Sequence, residues 1–168
     1  RAQYERYPYP PVPALALPRR GQASALSWEH GARLAGREEL AHDDRRILVA
    51  GCGTLEALVV AQAHPRAAEV VAVDISESSI ARLRTRTALA RISNVVLGLG
   101  LRPRIPPVLP VRADLTSWES GTFDYVLATD VLHHTDDPAS LLQRLAGWLR
   151  PGGLLRVVTY TCHGRLWM

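Results

Sequence analysis

The chain has 168 residues, 47% of them apolar, and a formal net charge of +4, which is length for one domain around one core. All 20 basic residues are Arg, so Schiff-base and amine-nucleophile chemistry by lysine is excluded. No apolar run is long enough to cross a bilayer, no basic-then-apolar signal opens the chain, and Cys52 and Cys162 are too few for a disulfide framework and match no zinc spacing.

These features point to a reduced, cytoplasmic setting with no metal site. An arginine-only, alanine-rich composition is what a GC-rich genome, as in many bacteria, encodes. Arg82, Arg84, Arg86 and Arg91 fall on one predicted helix and read as a solvated face. A nucleic-acid footprint would need a concentrated basic patch with interleaved aromatics, and the sequence has none.

The first twenty residues, RAQYERYPYPPVPALALPRR, carry repeated prolines that forbid helix and favour an extended leader. A helix is expected from about Ser24 to Leu40, weakened by Gly31 and Gly36. Residues 1–40 thus read as a leader and cap, and 41–168 as the core. Ile47 to Ala50 is a short apolar run, expected to be a buried strand. Gly51-Cys52-Gly53-Thr54 is a turn, and Leu55 to His64 a helix stopped by Pro65. Val70 to Val73 predicts a second buried strand closed by Asp74, after which Ser76 can cap a helix running to about Arg91.

A third strand is expected at Val95 to Leu99. The prolines between Gly100 and Pro110 exclude regular structure, leaving either a surface loop or a cover for a substrate site. Val111 to Asp114 resumes an extended pattern, and Phe123 to Leu127 predicts another strand. Asp137-Pro138 pairs a cap with a first-turn proline, and Leu141, Leu142, Leu145, Trp148 and Leu149 recur at helical spacing. Pro151-Gly152-Gly153 ends that helix before a last strand, Leu154 to Tyr160. Strands alternating with helices predict an α/β fold with a mainly parallel sheet and helices on both faces.

In such sheets ligands bind beyond the carboxyl ends of the strands. Gly51 and Gly53 let the backbone bend sharply and approach a ligand closely, with unpaired helix N–H groups behind them. Asp74 lies 23 positions after Gly51, where a carboxylate can accept from ribose hydroxyls. These features suit a nicotinamide dinucleotide as well as another nucleotide-like cofactor, but the former's fingerprint needs Gly where this chain has Glu56.

An ordered set of segments resembles the class I S-adenosylmethionine (SAM)-dependent methyltransferases across about Arg46 to Tyr160. The segments are Val49 to Thr54, Val71 to Ser76, Ala113-Asp114-Leu115, Phe123 to Leu127, Val131 to His134 and Leu149 to Gly153. The leader segment Tyr4 to Pro11 is similar to that of some bacterial members. The resemblance implies a Rossmann-like fold, S-adenosyl-L-methionine as cofactor, and methyl transfer to a small molecule or biosynthetic intermediate. It implies that Gly51, Cys52 and Gly53 lie under the cofactor's methionine part, that Asp74 holds the ribose and that Ile75 packs on the adenine. Asp114 and the backbone of Leu115 would meet the adenine edge. The segment from Thr129 to His134 would face the methyl group.

Candidate bases are His133, His134 and Asp130, the histidines because imidazole titrates near neutrality. Tyr4, Tyr7 and Tyr9 could form a lid or pack the leader onto the sheet. Trp28 and Glu29 could line an acceptor pocket or serve the structure. The Cys52 side chain reads as a small packing group, since no nearby base or cation is in view. Two positions depart from the family pattern. Val49 stands where an acidic residue usually helps fix the cofactor's ammonium group, and Leu55 where a third Gly is usual and a larger side chain could crowd the cleft. Both favour a competing expectation, a noncatalytic binding or dimerisation module. The chain's ends suggest a piece of a longer parent lacking the family's C-terminal antiparallel strands. A homo-oligomer, or self-association through a bare sheet edge, is expected in that case. No membrane or nucleic-acid partner is expected.

Overall fold

The computed structural model describes residue 5, residues 10–13, 16, 18, 24–37, 44–96 and 105–160. Five strands form one sheet: β1 (Arg46–Ala50), β2 (Glu69–Asp74), β3 (Val108–Arg112), β4 (Phe123–Thr129) and β5 (Leu149–Val158). Their order is β3-β2-β1-β4-β5, and every neighbouring pair is parallel. The described helices are α1 (Trp28–Leu34), α2 (Glu56–Ala63), α3 (Glu77–Val96) and α4 (Pro138–Gly147).

The near-continuous apolar runs of the central strands follow from burial on both faces. In β1, Ile47 and Val49 join a core with Trp28, Leu58, Ile80 and Leu83. Leu48 and Ala50 point the other way, into a second core with Leu132, Leu141, Leu145 and Trp148. Helices α1, α2 and α3 therefore cover one face and α4 the other. Leu48, Leu58, Leu83 and Leu145 are wholly buried, and truncating any one of them to Ala costs about 2–5 kcal/mol.

The chain travels outward from β1 to β2 and β3, then returns to lay β4 on the opposite side of β1. That reversal opens a crevice at the carboxyl ends of β1 and β4. Capping fixes the helix starts around it. The Ser76 hydroxyl accepts from the Ser79 N–H, and the Asp137 carboxylate accepts from the Ser140 N–H ahead of Pro138, as the sequence predicts.

Several boundaries differ from the expected ones. The first helix is split: a 3-10 turn spans Ser24–Leu26, and α1, capped by Ser27, ends at Leu34. Gly36 then takes a φ of 70°, which stops helical propagation; residues 38–40 lie outside the described set. The strand expected at Val95 to Leu99 does not begin at Val95, because α3 continues through Val96; residues 97–99 lie outside the described set. The third strand comes instead from the proline-rich stretch, with Pro110 opposite Ala72. Proline fits there because β3 lies at the sheet edge. At the other edge β4 advances from Phe123 to Tyr125 while β5 advances from Leu149 to Leu154. Pro151-Gly152-Gly153 therefore forms a bulge within β5 instead of preceding it.

The four arginines of α3 do not share one solvated face. Arg84 and Arg91 are exposed, but Arg86 is wholly buried. No described helix is long and apolar enough to cross a membrane. The described residues hold no antiparallel strand pair.

Candidate active site

The crevice at the strand reversal is a cleft of about 1350 Å³. Its floor is the turn after β1. Gly51 and Gly53 have φ values of 68° and 52°, a region that L side chains rarely enter. The N–H groups of Gly51 and Cys52 donate to the Val73 carbonyl at 2.8 and 3.0 Å, folding the turn onto the end of β2. A Cβ on Gly51 would run into the Val131 side chain.

Asp74, the last residue of β2, lines the same cleft. Its Oδ2 accepts from the Gly53 N–H and its Oδ1 from the Ser76 N–H, each at 2.8 Å. Burial raises its carboxyl above the ordinary range, while these N–H bonds work against that rise. The turn and the carboxylate predicted to work together are thus joined directly. Ile75, Asp114, Leu115 and Thr129 line the cleft as well. One oxygen of Asp114 accepts from the N–H and hydroxyl of Thr116, which holds the loop after β3 in shape.

Cys52 is buried and free. Burial first, then the nearby carboxylates of Asp74 and Glu56, push its thiol well above the ordinary range. It is a protonated packing group, not a nucleophile.

Glu56, at the position where a dinucleotide fingerprint requires Gly, is a cleft residue with no role evident from the sequence. It opens α2, lines the cleft and accepts from the Thr129 hydroxyl at 2.6 Å. Burial pushes its carboxyl up to about 7, and the neighbouring Asp130 adds to this. The Thr129 hydrogen bond and the Arg156 guanidinium pull the other way. A Glu at the start of a helix just behind a glycine turn was the available signal.

After β4 the chain turns through Asp130, at a φ of 56°, into a 3-10 turn over Leu132–His134. Asp130, Val131 and His134 line the cleft, as does Tyr160 beyond β5. His133 is exposed; its ring lies 4.1 Å from that of His134 and 4.9 Å from that of Tyr160, centroid to centroid.

The leader reaches this cleft. Pro10, Pro11, Val12 and Pro13 line it, and the Thr54 hydroxyl donates to the Pro10 carbonyl at 3.1 Å. Glu5 accepts from the N–H groups of Glu77 and Ser78 at the start of α3. Tyr4, Tyr7 and Tyr9 lie outside the described residues, as does Cys162.

Leu55 packs against the core on the α2 side and does not line the cleft, so the crowding expected of it is not found. Val49 is wholly buried in that same core. Trp28 and Glu29 do not line the cleft either. Trp28 is a core residue whose ring meets Tyr125 edge-on at 5.6 Å and whose backbone N–H donates to the His64 Nε2. No group of acidic, His and Cys side chains among the described residues could hold a metal ion.

Comparison with known proteins gives this geometry a family. The sequence pattern of a methyltransferase domain matches residues 48–155. An uncharacterized protein of Synechococcus sp. is 32% identical over 98% of this chain and 37% of its own length. An uncharacterized methyltransferase of Mycobacterium bovis is 34% identical over 68% of this chain and 50% of its own length. The chain thus spans half or less of the length of these relatives. Among solved structures, coclaurine N-methyltransferase bound to N-methylheliamine and S-adenosylhomocysteine (SAH) has 26% identity and a TM-score of 0.51, over 75% of this chain and 33% of that one. With the parallel sheet, the glycine turn and the carboxylate closing β2 in place, the chain belongs to the class I SAM-dependent methyltransferases.

Proposed function

We propose that this chain binds SAM in the cleft and transfers its methyl group to a small-molecule acceptor, with Gly51, Cys52 and Gly53 against the methionine part and Asp74 on the ribose. The observation that carries this reading is the direct bond between the Gly53 N–H and the Asp74 carboxylate inside one large cleft. The residues fit such a ligand. The turn places no side chain over the floor, Asp74 keeps lone pairs for hydroxyl donors, and half-buried Ile75 offers an apolar surface for a base. Asp114 and the Leu115 backbone, at the far side, suit the adenine edge.

The cofactor supplies an already activated methyl group, so the protein's work is positioning and exclusion of water. The leader residues Pro10 to Pro13 help close the cleft from above the turn. His134 is the imidazole that lines it, and in this reading it takes the proton of an oxygen or nitrogen acceptor. A small-molecule acceptor is supported by the half-open cleft of about 1350 Å³ with its largely apolar lining and by the ligand named for the coclaurine enzyme. The competing noncatalytic reading now rests on Val49 alone, since Leu55 leaves the cleft clear. Crystals soaked with SAH test the assignment: density should lie between Gly53 and Asp74, and an empty cleft at saturating ligand would refute it.

A further inference from the structure

The end of the cleft beside α2 holds two carboxylates. Glu56 has its Oε1 bonded to the Thr129 hydroxyl at 2.6 Å. Asp130, one residue beyond Thr129, has a buried Oδ1 with no hydrogen-bond partner among the described residues. Both line the cleft. Asp130 therefore adds its negative charge beside Glu56, and a cation carrying N–H groups is the partner that best offsets two adjacent carboxylates. Val49 sits wholly buried in the core and contributes no charge. The negative charge at this end of the cleft therefore comes from the start of α2 and the residue after β4.

We infer that Glu56, assisted by the charge of Asp130, anchors the α-ammonium of the cofactor's amino-acid part. The inference rests on the cofactor reading above and adds the residue that reads the ammonium. The Thr129 hydroxyl holds one oxygen of Glu56 and leaves the other for the ligand. The remaining groups that face Glu56 are Arg156 of β5, Asp130, Cys52 of the turn and Tyr125 of β4. Arg156 is the one cation among them, and it does not keep the carboxyl in its ordinary range. An arriving ammonium should therefore displace the proton that Glu56 partly retains near neutral pH.

The test uses two probes that share the adenosyl part. SAH carries the ammonium; 5′-methylthioadenosine does not. Titration calorimetry at pH 7, in buffers of different ionisation enthalpy, reads affinity and proton release together. Wild type should release a fraction of a proton with SAH and none with methylthioadenosine. Glu56→Gln should abolish the release and weaken SAH binding by about 10–100-fold, the size of a lost charge-assisted hydrogen bond, with methylthioadenosine affinity kept within about twofold. Glu56→Asp should recover part of the SAH preference. Equal weakening of both probes in Glu56→Gln, or unchanged SAH affinity and proton release, would overturn the inference while leaving the cofactor reading intact. Failure of wild type to bind either probe would overturn both.

Discussion

Arg86 donates from its Nη1 to the carbonyl of Thr54, tying the middle of α3 to the glycine turn. Its Nη2 donates to the carbonyls of Val12 and Pro13 at 3.1 and 3.0 Å. One wholly buried guanidinium therefore holds the leader and the turn together at the edge of the cleft. Arg86→Ala should leave those carbonyls without donors and lower stability by about 2–4 kcal/mol. Arg86→Lys should recover little of this, because an ammonium cannot reproduce the planar fork. Urea unfolding midpoints check both variants.

Gly51 is the tightest point of the turn. Gly51→Ala would place a Cβ against the Val131 side chain at a φ of 68°. The backbone conformation alone costs about 1–2 kcal/mol, and the collision adds to it. Val131→Ala in the same chain should return the collision part but not the backbone part. A double-mutant cycle on thermal unfolding measures that coupling.

Glu56 should make the free protein's stability fall as pH rises. Its folded carboxyl sits at about 7 against an ordinary value of 4.5. Between those values the folded state keeps a proton that the unfolded state has already lost, so raising the pH favours unfolding. Glu56→Gln removes this dependence. Relative to that variant, wild type should lose up to about 3 kcal/mol between pH 4.5 and pH 8. The shift of Asp74, also upward, is common to both proteins and cancels in the difference. Denaturant titrations across that range check it, and parallel curves would contradict it.

Much of this site is legible in the sequence because it depends on local chain chemistry. The apolar runs of β1, β2 and β4, the glycines at 51 and 53, and Asp74 at a strand end all declare themselves through pattern and spacing. The same reasoning misses β3, since Pro110 argues against a strand until its edge position is known. It misses the length of α3, whose Val95 and Val96 look like strand residues. It treats Arg86 as one of several surface arginines, because only the packed leader shows what the guanidinium holds. Glu56 is hidden for a related reason: its partners, Thr129 and Arg156, lie far away in sequence on β4 and β5.

The central claim is that the glycine turn and the carboxylate closing β2 hold one adenosyl ligand between them. Calorimetric titration of SAM into wild type and Asp74→Ala tests it most directly, because Asp74 also bonds Gly53 and Ser76 and a melting scan of each protein separates folding from binding. Saturable binding by wild type, weakened more than about tenfold in a variant that still melts cooperatively, is the expected result; a tenfold loss corresponds to about 1.4 kcal/mol. Equal affinity in the two proteins, or no heat from wild type at millimolar ligand, would contradict it.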